Sequence, residues 1–390
     1  MTQAIAFEEA AADEQGAPAK EGGSLAVFQV MPREMYFGVS RATSIDLCVR
    51  DLVAASRFHA ATTIFAERVD DHFPDFMVEP LPSARHAATF FRARHVARIA
   101  RALRPGLIVV QQHLPTAAAI ARRLPDAKVV LHVHNFQKNY GRRRHPFASL
   151  RRSARKFRYG QLAGIIHVSR SCAEAFARDW PDIGIPAIIV NNGLDMSLWR
   201  PVRERVPEIL YAGRCAPEKG VLELAQAVAA QLPSCRGWRA RFILSNLAVH
   251  PDYVAAVRAA LSPLGEQAII EEQRPFAEVK TAYERAAIAV VPSKWDEPFG
   301  RTALEAHAGG AALISSGTGG LAEVSGKAAL ILPEVSPEAI GVAVGTLIAD
   351  EALRAKLAEA GAKRVRQFFD INTQAARLDD FYEAIVHRSF

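Results

Sequence analysis

The stretch Val290–Ser325, VVPSKWDEPFGRTALEAHAGGAALISSGTGGLAEVS, combines two carboxylates, two glycine-rich turns and a short helix. The apolar run Ile288–Pro292 predicts a buried strand, and the polar residues Ser293–Pro298 predict the loop that follows it. A helix is predicted to open at Phe299–Gly300 and to end at Gly309–Gly310. Strand, loop and helix in this order are typical of parallel α/β sheets, whose ligands bind beyond the carboxyl ends of the strands.

Two carboxylates flank the start of this predicted helix. Glu297 lies just before it, and Glu305 lies on its second turn, four residues after Arg301. Free amides and the helix dipole make such a terminus an anion site, and Gly300 lets a phosphate approach the backbone closely. Carboxylates only accept hydrogen bonds and therefore suit sugar or ribose hydroxyls. The pattern indicates a ligand with phosphate in the middle and hydroxyls at both ends, as in a nucleotide-sugar.

The sequence EPFGRTALE at 297–305, followed by GGLAE at 319–323, resembles the E-x7-E and GG-x-x-E signature of family 4 retaining glycosyltransferases. The resemblance extends from about Leu25 to Phe390 and is most specific over 209–325. It implies the GT-B fold, an α/β architecture in which two doubly wound Rossmann-like parallel-sheet domains face a cleft. In this family the first Glu contacts the donor sugar, the second contacts the ribose, and the amides after the first Glu contact sugar and phosphate. The donor-binding residues so implied are Glu297, Phe299, Gly300, Arg301 and Glu305.

Arg301 and His307 depart from the apolar residues that are common at these places in the family. Arg301 either contacts an anionic donor sugar or an acceptor phosphate, or merely covers the helix, and the sequence leaves these alternatives open.

Short apolar runs alternate with helical stretches from Leu25 onward, which predicts βαβ units on parallel sheets covered on both faces. The pattern is interrupted near Asp195–Pro207. We therefore expect domains at 24–200 and 201–370, and the resemblance implies that a last helix within 371–390 crosses back to the first. The predicted strands are Leu25–Val30, Ala61–Ala66, Leu107–Gln111, Lys128–Val133, Gly164–Val168, Ile185–Val190, Ile209–Ala212, Arg241–Leu244, Ala268–Ile270, Ile288–Val291, Ala311–Ile314 and Ala329–Leu332.

The charge of the chain is unevenly distributed. The net charge is +7, yet residues 24–206 hold twice as many basic as acidic residues, whereas acids slightly outnumber bases in 207–390. An anionic substrate or surface is therefore expected to meet the first half. No apolar run reaches the roughly eighteen residues that span a bilayer, and residues 1–23 are predicted to be a disordered tail without a signal peptide. The four scattered cysteines predict reduced thiols.

A strand that ends in a glycine-bounded loop, YAGRCAPEKG at 211–220, presents Arg214 and Lys219 before a helix that begins at Val221. In the family these two cations hold the donor diphosphate, where they would neutralise the charge that builds as the glycosidic bond breaks. Gly38, after the first predicted strand, could bring backbone amides to the cleft as a further donor-binding residue. Family members often have two glycines there and this chain has one, so Gly38 is either a donor-binding residue or part of a plain turn.

Two histidines, His132 and His134, lie at the carboxyl end of the predicted strand Lys128–Val133. Alternation along a strand sends both to the same face, so spacing alone does not choose between them, and both could simply be hydrogen-bonded strand-end residues. The family places a His beside the reacting carbon of the donor sugar, often followed by Asp, Gly or Asn. His134-Asn135 matches that pattern better, so the resemblance implies His134.

The segment Lys138–Arg158, KNYGRRRHPFASLRRSARKFR, contains nine Lys or Arg and no acid. Its spacing predicts a basic amphipathic helix, which is either a solvated surface or a docking site for an anionic membrane or a lipid-diphosphate acceptor. Nucleic acid is disfavoured because few aromatic side chains accompany the charges. The residues proposed for membrane or acceptor binding are Arg142, Arg143, Arg144, Arg151, Arg152 and Arg155.

The sequence shows no acidic metal cage such as D-x-D, which predicts a metal-independent enzyme, and the resemblance implies a retaining glycosyltransferase without a cofactor. It would transfer a sugar from a nucleoside-diphosphate-sugar to a surface-polysaccharide or glycolipid acceptor, with His134, Glu297, Arg214 and Lys219 as the catalytic residues. The location expected is the cytoplasm, with peripheral attachment to the inner face of the cell membrane. Two alternatives remain: a non-catalytic nucleotide-sugar-binding partner of another transferase, and a nucleotide-sugar epimerase of the same fold, for which the additional acid–base side chains are not identifiable.

Overall fold

The computed structural model describes residues 25–40, 42–81, 88–137 and 148–388. The predicted tail 1–23 and three of the proposed docking residues, Arg142, Arg143 and Arg144, lie outside the described residues. The strands are β1 (Val27–Val30), β2 (Thr62–Glu67), β3 (Met77–Leu81), β4 (Leu107–Gln111), β5 (Lys128–Val133), β6 (Gly164–His167), β7 (Ala187–Ile189), β8 (Val206–Arg214), β9 (Arg239–Ser245), β10 (Ala268–Glu272), β11 (Ala286–Val291), β12 (Ala312–Ser315) and β13 (Ala329–Ile331). The helices are α1 (Ser44–Ala55), α2 (Ala88–Leu103), α3 (Leu114–Arg123), α4 (Ala148–Tyr159), α5 (Arg170–Asp179), α6 (Val221–Gln231), α7 (Pro251–Leu261), α8 (Phe276–Arg285), α9 (Arg301–Ala308), α10 (Gly320–Ser325), α11 (Pro337–Ala349), α12 (Glu351–Phe368) and α13 (Ile371–His387).

The first domain is built on a seven-stranded parallel sheet in the order β3-β2-β1-β4-β5-β6-β7. Its central strands are continuous apolar runs because helices cover both faces. Helices α2 to α5 pack on one face through residues such as Val96, Ile120 and Phe176. Helices α1 and α13 pack on the other, through Leu52 and Tyr382 among others.

The second domain is built on a six-stranded parallel sheet in the order β10-β9-β8-β11-β12-β13. Helices α6, α7 and α11 bury one face through residues such as Leu224, Val257 and Val344. Helices α8, α9, α10 and α12 cover the other. The predicted fold class, two doubly wound parallel-sheet domains, is confirmed.

All twelve predicted strands are present with bounds shifted by a few residues, and α9 lies between the predicted limits. Strand β3 was not predicted. Its sequence, Met77–Leu81, contains Pro80 and is mostly exposed or half-buried, because β3 is an edge strand that pairs only with β2. Edge strands tolerate proline and need no continuous apolar run, so the pattern that revealed the other strands is missing here.

The chain crosses between the domains twice at one place. The Leu194 amide donates to the carbonyl of Phe369 over 2.9 Å, and the Ile371 amide donates to the carbonyl of Leu194 over 3.2 Å. Helix α13 then returns to the first sheet, where the buried Asp379 accepts a hydrogen bond from the Ser56 hydroxyl over 2.6 Å. These paired crossings fix the carboxyl ends of the two sheets opposite each other.

Candidate active site

A cavity of about 680 Å³ lies between the carboxyl ends of the two sheets. The first domain lines it with residues that follow β1 and β5, including Thr43 and His134. The second domain lines it with residues that follow β8, β9 and β11, including Arg214, Asn246 and Glu297. This is where open parallel sheets bind ligands, and the volume falls in the range of small-molecule sites.

The loop that carries Glu297 rests directly on two glycines. Gly319 pairs with Glu297 in a parallel bridge, and the Gly320 amide donates to the Glu297 carbonyl over 2.6 Å. Gly319 has φ 56°, and a Cβ placed on it would lie 2.5 Å from the Glu297 carbonyl oxygen. A Cβ on Gly320 would lie 2.6 Å from the Cα of Phe299. The Gly-Gly of the GG-x-x-E pattern is therefore the surface that positions the Glu297 loop.

The Glu297 side chain is buried and held from two sides. The Ser293 hydroxyl donates to Oε1 over 2.7 Å, and Lys219 Nζ forms an ion pair with the same oxygen. Lys219 Nζ also lies 5.4 Å from the centroid of the Trp295 ring. Ser293 and Trp295 were missed from the sequence, although they stand in the loop already singled out.

The two predicted phosphate-binding cations flank one turn at the end of β8. Arg214 ends that strand and is 44% exposed, with Nη1 3.2 Å from Glu218 Oε1. Lys219 lies in a short 3-10 helix before Gly220, whose φ is 67°. Both line the cavity. The cavity thus has two cations beside the Glu297 carboxylate at this wall.

Helix α9 begins at the cavity. Its N-cap is Gly300, with φ 104°, and a Cβ on Gly300 would lie 2.4 Å from Leu321 Cδ2. Phe299, Gly300, Arg301 and Thr302 line the cavity, so the first-turn amides, which have no acceptor within a helix, lie at its wall. Phe299 itself is buried against Phe369, with ring centroids 5.7 Å apart.

Of the two strand-end histidines, His134 lines the cavity and His132 lies behind it. Their rings stack with centroids 4.4 Å apart, so both are on one face of the sheet, as strand alternation predicted. Burial lowers the pKa of His134 to about 3, so its imidazole is neutral at physiological pH.

A buried chain of hydrogen bonds orients the His134 ring. Gln111 Oε1 lies 2.7 Å from His134 Nε2, Gln111 Nε2 donates to Gln29 Oε1 over 2.7 Å, and Gln29 Nε2 donates to the Tyr382 hydroxyl over 3.2 Å. Because Gln111 presents its oxygen, His134 carries its proton on Nε2 and leaves Nδ1 as an acceptor. Sequence analysis missed this chain, whose members come from β1, β4 and α13.

Arg301 joins the two domains. Its Nη2 lies 3.1 Å from Asp51 Oδ2 and its Nη1 donates to Cys48 Sγ over 3.2 Å, while its Nε donates to Glu305 Oε1 over 2.8 Å. Burial by itself disfavours the charged guanidinium, but Cys48, Asp51 and Glu305 together hold the pKa of Arg301 above its ordinary value. Two carboxylates thus pair with Arg301, which makes a contact between the domains and also lines the cavity.

Glu305 is buried behind Arg301 and is not among the residues that line the cavity. Burial raises the pKa of its carboxyl, and the Arg301 cation opposes that shift. The structure therefore brings Arg301, and not the predicted ribose-binding Glu305, to the cavity wall.

The carboxylate of the GG-x-x-E pattern also bridges the domains. Glu323 accepts from the amides of Arg170 over 2.9 Å and Ser171 over 2.7 Å at the N-terminus of α5. The N-cap Ser169 donates from its hydroxyl to the Pro298 carbonyl over 2.5 Å. The N-terminus of α5 is therefore held by Glu323 of α10 and by the loop that carries Glu297 and Pro298.

Some predicted residues lie away from the cavity. Gly38 is not among its lining residues, and a Cβ on Gly38 would lie 2.9 Å from both Asp71 Oδ1 and Val69 Cγ2, so tight packing explains this glycine. The loop after β1 instead lines the cavity with Met35 and residues 42–45. Arg151, Arg152 and Arg155 lie on α4, outside the cavity lining.

Among the described residues, no group of three or more His, Cys, Asp or Glu is placed to hold a metal ion. The four cysteines are free thiols, as predicted. No helix in the described part of the chain is both long and apolar enough to cross a membrane.

Two family models match consecutive parts of the chain. The model described as Glycosyltransferase Family 4 matches residues 52–198, and the model described as Glycosyl transferases group 1 matches residues 200–364. The boundary between the two matches falls in the crossover between the two sheets. Together they cover both domains.

Curated relatives include a D-inositol 3-phosphate glycosyltransferase of Corynebacterium glutamicum, 30% identical over 213 residues that span 50% of each chain. The lipopolysaccharide core biosynthesis mannosyltransferase LpcC of Rhizobium leguminosarum is 26% identical over 52% of this chain and 61% of its own. The lipopolysaccharide 1,2-N-acetylglucosaminetransferase of Salmonella typhimurium is 27% identical over 56% of each chain. This chain thus spans about half of most of these relatives.

Solved structures are similar over nearly the whole chain. Sucrose-phosphate synthase from Thermosynechococcus elongatus superposes with a TM-score of 0.73 at 20% identity, covering 93% of this chain and 100% of that one. Anabaena Alr3699/HepE, solved in complex with UDP and glucose, gives a TM-score of 0.73 at 16% identity, covering 92% and 100%. These likenesses establish the GT-B fold.

Proposed function

The chain belongs to the family 4 glycosyltransferases of GT-B fold, and from this premise we propose that it is a retaining, metal-independent transferase that uses a nucleoside-diphosphate-sugar. One observation carries the proposal: Arg214, Lys219 and Glu297 of the second domain and His134 of the first line a single cavity. Two cations beside a carboxylate match a diphosphate joined to a sugar.

In this proposal Arg214 and Lys219 bind the diphosphate, and the first-turn amides of α9 support it. Glu297, already fixed by Ser293 and Lys219, accepts hydrogen bonds from the donor sugar. The ribose lies beside Arg301, whose side chain Glu305 holds from behind. The Anabaena relative was solved with UDP and with UDP-glucose, which supports a nucleotide-sugar in a cavity of this fold.

The proposed reaction breaks the bond between the anomeric carbon and the diphosphate oxygen, and the diphosphate leaves with the bonding electron pair. An acceptor hydroxyl forms the new bond on the same face, and its proton passes to the leaving phosphate. Arg214 and Lys219 stabilise the negative charge that develops on the diphosphate, which is the electrostatic demand that a metal would otherwise meet. His134 lies at the opposite wall, where neutral Nδ1 accepts a hydrogen bond from the sugar.

We propose a glycan or lipid-linked acceptor in surface-polysaccharide synthesis. Two of the relatives are transferases of lipopolysaccharide assembly by name, and the first domain, which would meet the acceptor, is basic. We propose a cytoplasmic location because free thiols are typical of reducing compartments.

The surface formed by α2, α3 and α4, which we call the basic face, fits an anionic membrane. These helices pack side by side and contain no Asp or Glu. Large apolar side chains project from it: Phe90 and Phe91 on α2 are 51% and 44% exposed, and Leu150 and Phe157 on α4 are 66% and 57% exposed. Exposed apolar side chains among cations are typical of helices that lie at a bilayer surface.

Vesicle flotation tests the basic face. The protein should float with vesicles that contain anionic lipid and remain below with neutral vesicles, and Leu150→Ser with Phe157→Ser should abolish flotation. The matched control is Arg236→Gln with Val342→Ser, at exposed positions of the second domain. Equal flotation of both variants would remove the membrane from the proposal.

Donor hydrolysis tests the reaction itself. The protein, incubated with a panel of nucleotide-sugars in EDTA, should slowly transfer one sugar to water. Proton NMR should then show a first-formed product with the anomeric configuration of the donor. The opposite configuration, or a requirement for divalent metal, would contradict retention or metal independence.

A further inference from the structure

A second group of basic side chains lies at the carboxyl ends of β1, β4 and β5, outside the cavity described above. We call it the arginine cluster, and it consists of Arg33, Arg92, His113, Arg155 and Arg158. It adjoins the His134 wall, because the residue before His113, Gln112, accepts at Oε1 from the amides of His134 over 2.6 Å and Asn135 over 3.1 Å.

Arg92 is fixed where β1 ends. Its side chain is 3% exposed, with Nη1 2.9 Å from Glu67 Oε1. Its Nη2 donates to the carbonyls of Met31 over 2.8 Å and Pro32 over 3.1 Å. This anchors the backbone immediately before Arg33, so Arg33 follows a fixed strand end, although its own side chain is half exposed.

The other members come from the ends of the neighbouring strands. His113 follows β4 and lies at the N-terminus of α3, with Nδ1 2.7 Å from the Thr116 hydroxyl. Arg155 on α4 donates from Nη2 to Gln137 Oε1 over 3.0 Å, and Gln137 follows β5. Arg158 lies three residues further along α4. Strands β1, β4 and β5 are adjacent in the sheet, which brings these residues together.

The charges of the cluster converge on His113. Burial lowers the pKa of its imidazole, and Arg92, Arg33, Arg158 and Arg155 lower it further in that order. Two carboxylates offset part of this charge: Glu67 pairs with Arg92, and Glu34 lies 3.6 Å from the exposed guanidinium of Arg33. The four arginines outnumber these two carboxylates, so the cluster keeps a net positive charge that a bound anion would offset.

We propose that the arginine cluster binds a phosphate group of the acceptor, next to the hydroxyl that is glycosylated. The proposal rests on the glycosyl transfer proposed above and adds the chemical class of the acceptor. Guanidinium groups pair with phosphate oxygens through two parallel hydrogen bonds, and several of them match the roughly two negative charges of a phosphomonoester. A soluble sugar phosphate and the headgroup of a phospholipid carrier share this chemistry.

Proton NMR of the His113 ring tests the proposal by binding alone. The full chain would be labelled at its histidines, and His113→Gln would assign the resonance. Inorganic phosphate should shift the His113 resonance in a saturable way and raise the pKa of the imidazole, because a bound anion stabilises the imidazolium. The double variant Arg33→Gln, Arg158→Gln should bind phosphate about tenfold more weakly for each arginine removed.

The matched control is Arg203→Gln with Arg236→Gln, two exposed arginines of the second domain. It should bind phosphate as the wild type does. Lys219→Met should also leave the His113 response intact, which separates this site from the donor diphosphate site.

A second arm uses neutral vesicles with and without phosphatidic acid. A response to dissolved phosphate identifies a soluble acceptor, and a response to the vesicles alone identifies a lipid headgroup. No response of His113 to either probe, or a response that survives loss of Arg33 and Arg158, overturns the proposal. The experiment measures no sugar transfer, so a negative result does not contradict the proposed reaction. Conversely, a protein that binds phosphate but transfers no sugar does not contradict the proposed phosphate site.

Discussion

Arg301 and Asp51 form an ion pair across the cleft, with Nη2 of Arg301 on α9 lying 3.1 Å from Oδ2 of Asp51 on α1. The same guanidinium holds Glu305 through Nε. One buried cation therefore ties α9, which begins at the cavity, to the opposite domain.

Loss of this cation should destabilise the fold strongly. Arg301→Met leaves the buried Glu305 without its cation, while Asp51 keeps its pair with Arg50, and should lower the free energy of unfolding by about 3–5 kcal/mol, because a buried charge is left uncompensated. Asp51→Asn keeps the Arg301–Glu305 pair and should cost only about 1–3 kcal/mol. Urea unfolding of the two variants checks the order, and a larger loss in Asp51→Asn would contradict it.

The glycine pair under Glu297 should be intolerant of a side chain. Gly319→Ala places a Cβ 2.5 Å from the Glu297 carbonyl oxygen at a φ of 56° and should displace the loop, reducing kcat/KM by at least about tenfold. Gly341 in α11 has open space around an added Cβ, so Gly341→Ala should keep full activity. Equal activity of the two variants would show that the Glu297 loop does not rest on Gly319.

Gln111 should control the tautomer of His134. Gln111→Leu removes the acceptor for Nε2–H and should cost about 1–3 kcal/mol of stability, because Gln29 and His134 lose buried partners. In ¹⁵N NMR, wild-type His134 should show a protonated Nε2 and an unprotonated Nδ1, and Gln111→Leu should mix the tautomers. A wild-type His134 protonated on Nδ1 would mean that the hydrogen bonds linking Tyr382, Gln29, Gln111 and His134 run in the opposite donor-to-acceptor direction.

His307 should make the protein less stable in acid. Burial lowers its pKa to about 3, whereas in the unfolded chain it titrates near 6.5. Below about pH 6.5 the unfolded state binds the extra proton, so stability falls as the pH drops toward 3, by at most about 1.4 kcal/mol per pH unit.

His307→Leu should flatten that dependence. Neither ring nitrogen of His307 has a hydrogen-bond partner among the described residues, so the variant should also be about 1–3 kcal/mol more stable at pH 7. Melting curves between pH 4 and 7 compare the two proteins. Parallel pH profiles would show that His307 titrates normally in the folded state.

The sequence predicted the features that depend on local pattern. Continuous apolar runs revealed the parallel strands, and glycines bounded the helix that begins after Gly300. Arg214, Lys219 and Glu297 belong to compact motifs at strand ends, where the topology alone brings them to one cleft. Strand β3 was missed because an edge strand containing Pro80 lacks that pattern.

Contacts between distant segments could not be predicted. Asp51 and Arg301 are 250 residues apart in the sequence. Gln29 and Tyr382, which belong to the hydrogen-bonded series that orients His134, are 353 residues apart. Nothing in the spacing around Glu323 indicates that it caps α5 of the other domain. Asn246, which lines the cavity at φ 60°, stands in no motif. Such contacts depend on how two sheets face each other, which no local periodicity encodes.

The central claim is that the interdomain cavity binds a nucleoside-diphosphate-sugar through Lys219 and its neighbours. A thermal-shift panel of the full chain with UDP, GDP, ADP and their sugar conjugates, with and without EDTA, tests it most directly. One nucleotide should raise the melting temperature, since a ligand at a hundred times its Kd adds about 2.7 kcal/mol of stability. The shift should survive EDTA and Arg236→Gln and be lost in Lys219→Met. No shift with any nucleotide, or a shift that persists in Lys219→Met, would contradict the account.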